Sequence, residues 1–222
     1  NHYFEYAISF INVGQGDSTL LRIKNKYVLV DTGGLTYKDV GHDILIPYLK
    51  RNKIFSLDYL IITPDDFDHS GAQEVLVNNF NVKNVITERD YFPLTINDVT
   101  IRNLNNKYYD DANLDSLILY VAFPKMNVLL MADAGTINET ELITNYPSLK
   151  VDVLKVGHHG SNTSTSEAFI RHYRPEVAII SCGYANKYGH PHQSVLDTLY
   201  KYEVKVKRTD TLGTITLKTC II

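Results

Sequence analysis

The chain has 222 residues, 44% hydrophobic and 21% charged, with a formal net charge of −3. That is enough apolar chain for a sizeable core, and the charge exerts no global pull toward nucleic acid or anionic membrane, so any such binding must rest on local patches. No apolar run reaches the ~18 to 20 residues of a membrane helix, and the two cysteines, Cys182 and Cys220, make no disulfide framework.

Short strand-like runs alternate with helical stretches from end to end. Ile8–Val13 reads as a strand stopped by Gly14-Gln15-Gly16-Asp17. Thr19–Ile23 and Tyr27–Asp31 follow as a pair around Lys24-Asn25-Lys26, and Thr32-Gly33-Gly34 breaks the sheet. Ile44, Leu45, Tyr48 and Leu49 fall at helical spacing ahead of a strand over Leu57–Thr63. Ala72, Val75, Leu76 and Phe80 give a further helix, Val82–Thr87 a strand, and Arg89–Asp111 an irregular, polar, tyrosine-rich stretch. Strands over Leu117–Phe123 and Val128–Met131 flank the turn Pro124–Asn127 and run into Ala132-Asp133.

Beyond a short helix at Glu139–Tyr146, the strand Val151–Val156 ends in Gly157-His158-His159-Gly160-Ser161. Ser164 and Glu167 make a capping box for a helix through Arg171. Strand Val177–Ser181 puts Cys182 in an apolar setting, where an inert buried thiol is expected. A loop ending in Tyr188-Gly189-His190-Pro191-His192, a helix Ser194–Tyr202 and two strands around Lys205 and Thr214 complete the chain. With no internal repeat or linker, residues 1–222 read as one layered domain with sheet inside and helices outside. The start at Asn1, without methionine, is expected of a piece excised from something longer.

The ionisable residues carry the information. Leu60-Ile61-Ile62-Thr63 ends in Pro64-Asp65-Asp66-Phe67-Asp68-His69, placing hard oxygen and imidazole donors in one loop. Asp31, Asp133, His158 and His159 each also follow a strand, and His190 lies in a loop past another. Strand ends converge on one edge of a sheet, so these groups can meet in a cleft. Two cations ~3.5 to 4 Å apart in such a cleft activate water and hold an anionic transition state. Asp133 follows Leu-Leu-Met-Ala, and a carboxylate there is costly to bury without a partner.

On these residues the sequence resembles the metallo-β-lactamase superfamily, and within it the C-terminal metallohydrolase domain of ComEC-type DNA-uptake proteins. The resemblance rests on Val13–Ser18, Val30–Gly34, Thr63–Gly71, Leu130–Ala134, Leu154–Ser161, Tyr188–Pro191, Arg208-Thr209-Asp210 and Gly213. It implies an α/β (α+β) fold, the four-layered αβ/βα sandwich with two mixed sheets flanked by helices. It also implies a divalent-metal phosphodiesterase or nuclease that degrades single-stranded DNA during uptake (competence). The expected partners are that strand, the membrane-embedded remainder of a longer polytopic chain, and other DNA-uptake proteins. The domain itself would be a soluble part of a cell-membrane protein.

The family loop reads His-x-Asp-x-Asp-His; Asp66, Asp68 and His69 match, and Pro64 replaces the first histidine. A further histidine expected before Asp133 is missing, and Asp115 is its only obvious substitute. The better half-site is expected to use Asp68, His69, a late histidine and Asp133 as the bridge. The poorer would rest on Asp66, Asp133 and either Asp115 or Asp65. Such carboxylate content favours one or two Mn²⁺ or Mg²⁺ ions over Zn²⁺.

The adjacent His158 and His159 cannot point the same way; one is expected to bind metal or phosphate and the other to pack, with His158 assigned as the ligand. Asp66, Asp133, His158, His159 and His190 are the catalytic candidates, His190 serving as a ligand or as the general acid. Asp31, Asp17 and Asp115 are expected to support the ligands from behind. His2, His42, His172 and His192 read as ordinary surface or boundary histidines. Tyr108, Tyr109, Tyr184 and Tyr188 either stack on unpaired bases or pack at the rim. Lys50-Arg51-Lys53 and Lys205-Lys207-Arg208 read as solvated faces more readily than as phosphate-steering patches. Two rivals to the nuclease remain: a DNA-binding or assembly module without turnover, and a small-molecule metallohydrolase.

Overall fold

The computed structural model describes residues 5–63 and 66–219. His2, Pro64, Asp65 and Cys220 lie outside them. In chain order the strands are β1 (Tyr6–Phe10), β2 (Thr19–Ile23), β3 (Lys26–Val30), β4 (Ser56–Leu57), β5 (Tyr59–Ile61), β6 (Asn81–Val82), β7 (Val85–Ile86) and β8 (Leu94–Ile96). They continue as β9 (Val99–Asn103), β10 (Leu119–Phe123), β11 (Met126–Leu130), β12 (Val153–Lys155), β13 (Val177–Ile180), β14 (Lys205–Arg208) and β15 (Ile215–Thr219). The helices are α1 (Ile46–Arg51), α2 (Phe67–Ser70), α3 (Gln73–Asn79), α4 (Thr136–Asn145), α5 (Glu167–Tyr173), α6 (Gln193–Lys201) and α7 (Thr209–Leu212).

Two mixed sheets form the middle layers, in the orders β15-β1-β2-β3-β5-β7 and β14-β13-β12-β11-β10-β9-β8. In the first, β3, β5 and β7 run parallel. In the second, β11 to β14 do. Strand alternation explains the layering. Val28 and Val30 face the other sheet and pack with Val128, Leu130 and Val153. Leu29 and Leu60 turn outward onto Leu45, Leu49 and Leu76 near α1 and α3. On the opposite flank Leu129, Leu154 and Ala178 meet Leu142, Phe169 and Leu199 of α4, α5 and α6. Each such buried leucine contributes about 1.5–3 kcal/mol of transfer free energy. Among the described residues no helix is long and apolar enough to cross a membrane.

Three expectations differ from the structure. The stretch read as irregular contains the β8–β9 hairpin. Leu94, Ile96, Val99 and Ile101 alternate through it, and Asn97 turns the chain with φ 53°. The strand expected over Leu57–Thr63 is divided between β4 and β5, which pair in different sheets. The cap of α5 is Ser166, whose hydroxyl accepts from the Phe169 amide at 3.3 Å. Ser164 instead donates to the Gly157 carbonyl at 2.8 Å, bracing the histidine loop.

Candidate metal centre

The carboxyl ends of the parallel strands from both sheets open on one side, and the conspicuous side chains stand there. Asp31 follows β3 directly and lies in the left-handed region, φ 60°. Its carboxylate accepts from the Thr63 amide (2.8 Å), the Thr63 hydroxyl (2.6 Å) and His69 Nδ1 (2.8 Å). This fixes the His69 ring with Nε2 turned outward. The backbone of α2 is held against the Thr32-Gly33-Gly34 break: the Thr32 amide donates to the His69 carbonyl at 2.6 Å, and the Ala72 amide to Gly33 at 3.1 Å. A Cβ on Gly34 would stand 1.9 Å from the Phe67 carbonyl oxygen, so only glycine permits this approach.

From the other sheet come Asp133, just past β11, and the His158-His159 turn past β12. His158 and His159 are both left-handed, with φ 47° and 54°, a conformation that non-glycine residues adopt only when their surroundings impose it. The turn sends the two rings apart. His159 is buried, its Nδ1 donating to the Ser181 carbonyl at 3.0 Å. His158 is half-buried, and its Nδ1 faces the Thr163 hydroxyl at 3.2 Å.

Donor atoms of Asp68, His69, Asp133 and His159 all lie within 4.8 Å of one another. His69 Nε2 is 3.0 Å from Asp133 Oδ1, and His159 Nε2 is 3.0 Å from Asp68 Oδ2 and 3.5 Å from Asp133 Oδ1. Donors sharing one ion at about 2.0–2.2 Å stand roughly 3 to 4.4 Å apart, and the 3.0–3.5 Å separations among these atoms fall in that range. His69 Nε2 and Asp133 Oδ1 are buried without a hydrogen-bond partner despite their approach. Two such atoms 3.0 Å apart are unfavourable unless positive charge, a proton on the imidazole or a bound cation, stands between them. The residues therefore fit a divalent metal.

The electrostatics say the same. Burial works against a charged His69, yet Asp133 and Asp31 overcome it and hold the imidazole well above its ordinary value. His159 likewise rises to about 9, burial being outweighed by Asp17 and Asp133. Burial pushes the Asp133 carboxyl up, but His69 and His159 hold it far below the usual carboxylate range. In the metal-free protein, protons on two imidazoles supply the positive charge that a cation would otherwise supply.

A second convergent group, Asp17, Asp31 and His69, lies behind the first, but it is filled by protein. The Lys155 ammonium contacts Asp17, and Thr63 occupies Asp31. Val153 and Lys155 share the inward face of β12, which is why this lysine, 2% exposed, reaches across the layers. Burial would raise the Asp17 carboxyl, and Lys155 and then His159 hold it well below the usual range instead.

Several expected residues stand elsewhere. Asp115 is not at the cluster: it pairs with Arg89 at 2.6 Å and accepts from the Tyr109 amide at 2.8 Å, pinning the loop before β10. His158, expected to be the ligand of its pair, lies in neither convergent donor group, whereas His159 lies in the first. Asp66 precedes α2, where its carbonyl accepts from the His69 and Ser70 amides, and its carboxylate belongs to neither convergent group. His190 stacks on His159 with ring centroids 6.4 Å apart, outside the donor cluster. Burial, then the charges of His159 and His158, lower the His190 imidazole to about 4. The Gln15 amide, which accepts from the Gly183 N–H at 3.0 Å, faces His190 Nδ1 at 3.4 Å with its NH₂. That leaves the proton of a neutral ring on Nε2.

Lys155, Thr63 and Gln15 were not expected to take part. A lysine between Leu154 and Val156 inside a strand was the legible signal; Thr63 and Gln15 carried none. Glu139 of α4 accepts from the Ser166 amide at 2.8 Å and from the Thr165 amide, bracing the segment that follows the histidine loop.

The sequence signature described as metallo-beta-lactamase superfamily matches residues 11–111. Most of the chain (95%) aligns at 35% identity with ComE operon protein 3 of Bacillus subtilis, of which it covers 33%. Residues 11–111, which carry Asp31, Asp68 and His69, thus resemble the metallo-beta-lactamase superfamily. Competence protein ComA of Neisseria gonorrhoeae is 31% identical over 94% of the chain, which covers 32% of that protein. The chain thus spans about a third of the length of these curated relatives. The metallo-beta-lactamase fold protein YhfI of Bacillus subtilis superposes with a TM-score of 0.65 at 15% identity, covering 97% of this chain and 100% of that one. At that identity the likeness speaks for the fold, and the two-sheet sandwich agrees with it.

Proposed function

We propose that this chain is the metal-dependent phosphodiesterase domain of a DNA-uptake protein and hydrolyses single-stranded DNA. The carrying observation is the four-donor cluster, one of whose carboxylates, Asp68, lines an open cleft of about 1080 Å³ together with Lys38, Lys187, Tyr184 and Tyr188. A small-molecule hydrolase is better served by an enclosed apolar pocket. The competence name of one relative and the resemblance to ComEC-type proteins point to DNA. The relatives are about three times as long, which leaves room for a membrane-embedded remainder.

Asp68, His69, Asp133 and His159 would hold the ion. A divalent cation there supplies Lewis acidity, polarising a phosphate oxygen and lowering the pKa of a water. Asp133, whose Oδ1 is buried without a hydrogen-bond partner, would orient the attacking water. His190, a neutral ring with Nε2–H available, donates a hydrogen bond to a phosphate oxygen. Its lowered pKa makes it a donor without charge rather than a strong general acid. Two carboxylates and two imidazoles suit Mn²⁺ better than Mg²⁺, which prefers oxygen alone.

The described residues assemble one four-donor cluster rather than two, and this favours a second reading, a DNA-binding module without turnover. Metal analysis coupled to cleavage of single- and double-stranded DNA separates the two. The nuclease binds at least one Mn²⁺ per chain and degrades single strands, and Asp133→Ala abolishes both. A chain that binds Mn²⁺ tightly yet leaves DNA intact is the module.

A further inference from the structure

The loop between β13 and α6 is organised around one side chain. Asn186 donates to the Gly183 carbonyl at 2.9 Å and to the His190 carbonyl at 2.6 Å. Its own carbonyl accepts from the amides of Tyr188 at 3.2 Å and His190 at 3.0 Å. A loop cross-braced from both ends of one asparagine is held in shape, yet its tyrosines lie in solvent. Tyr184 is 84% exposed and Tyr188 53%. Exposing two aromatic rings on a braced loop forfeits transfer free energy that burial would recover.

Tyr188 is stacked on His190, 5.6 Å between centroids at 25°, and His190 on His159, 6.4 Å at 23°. A column of rings therefore descends from solvent to a residue of the metal cluster. Lys187 lies over Tyr188 at 5.0 Å, and Lys38 stands in the wall of the same cleft. The other expected stacking residues are engaged elsewhere: Tyr109 donates to Glu141 at 2.6 Å, and Tyr108 lies under Arg89 at 4.8 Å. Neither basic run of the sequence lines the cleft.

We propose that Tyr184 and Tyr188 are a stacking platform for unpaired bases, with Lys38 and Lys187 on the flanking phosphates, so that the cleft admits a single strand and delivers its backbone to Asp68. Aromatic faces accept every base, so recognition is sequence-tolerant. A duplex keeps its bases inside and finds no partner for the rings. The inference rests on the phosphodiester reading above and names the positioning residues of that site.

The test is binding, measured in Ca²⁺ by fluorescence anisotropy of a labelled twelve-residue oligothymidylate, its blunt duplex with oligoadenylate, and an abasic chain of the same length. Tyr184→Ala/Tyr188→Ala weakens binding of the oligothymidylate by about tenfold or more, within the range of base–aromatic stacking, and leaves the abasic chain bound as before. Tyr188→Trp restores affinity, and Tyr91→Ala, an exposed tyrosine outside the cleft, changes nothing. Lys187→Gln reduces the salt slope on the single strand by about 0.7. Equal losses on the oligothymidylate and the abasic chain, or no loss on either, overturn the proposal. Cleavage by the unaltered protein in Mn²⁺ is scored separately. Tyrosine-dependent binding without cleavage sinks the catalytic reading alone, and cleavage with tyrosine-independent binding sinks this inference alone.

Discussion

Raising the pH should move the metal-free and metal-loaded proteins in opposite directions. The His159 imidazole rises from 6.5 to about 9 on folding. A group whose folded pKa lies above its unfolded one stabilises the fold fully below the unfolded value and loses that contribution as pH rises through the folded value. The difference corresponds to about 3 kcal/mol. With EDTA present, stability therefore falls between pH 6.5 and 9 by about 3 kcal/mol, and Tm by roughly 6–12 °C at 2–4 °C per kcal/mol for a chain of this size. His69, raised in the same direction, adds to the fall. Metal binding needs both rings neutral at Nε2, so each ion displaces up to two protons and the affinity climbs steeply over the same interval. The assay is urea unfolding at pH 6.5, 7.5 and 9, in EDTA and in saturating Mn²⁺, with Kd from titration calorimetry at each pH. Apo stability that is flat or rising from pH 6.5 to 9, with a pH-independent Kd, refutes the assignment of protonated His69 and His159 to the metal position.

Asp31→Asn keeps the shape but loses the charge that orients His69, and is expected to weaken Mn²⁺ binding by about 10–100-fold while the fold survives; calorimetry reads it directly. Lys155→Met strands the Asp17 carboxylate in the interior, at a cost of about 3–5 kcal/mol. Asp17→Asn added to Lys155→Met recovers part of that loss in urea unfolding. Asp115→Ala breaks the Arg89 pair and leaves the Mn²⁺ affinity where it was, whereas a metal-ligating Asp115 would lower it by orders of magnitude. Glu139→Ala leaves the Thr165 and Ser166 amides without their acceptor and destabilises by about 1–3 kcal/mol, with Glu139→Gln, which keeps one oxygen, falling between it and the natural chain.

The layered fold was readable because its determinants are local. Alternation in Val28-Leu29-Val30 and the apolar stripe of Leu45 and Leu49 each follow from a short window of sequence. The β8–β9 hairpin hid because its apolar positions are separated by Thr, Asn, Asp and Arg and its strands are short. The convergence of these side chains was legible for a similar reason: Asp31, Asp68, His69 and Asp133 are conspicuous types at strand ends, and strand ends share an edge. What each one contacts was less so. Asp115 sits in a loop whose path is set by Arg89, 26 residues away in sequence, and no periodicity reports that.

That His159 rather than His158 joins the convergent donors shows where local reading stops. Side-chain direction across two adjacent residues depends on the sign of φ, and here both are left-handed. What imposes this is distant. The His158 amide donates to Ala132 at 2.8 Å. A Cβ on Gly157 would stand 2.4 Å from the Ala134 carbonyl, and one on Gly160 2.7 Å from Pro191. The turn is thus clamped between the β11 end that carries Asp133 and the loop that carries His190. The same clamp that turns His159 inward brings Asp133 beside it and stacks His190 on its ring. The convergence of His159 and Asp133 and the aromatic column beside them are consequences of one backbone arrangement, and a change at Gly157 should disturb both together.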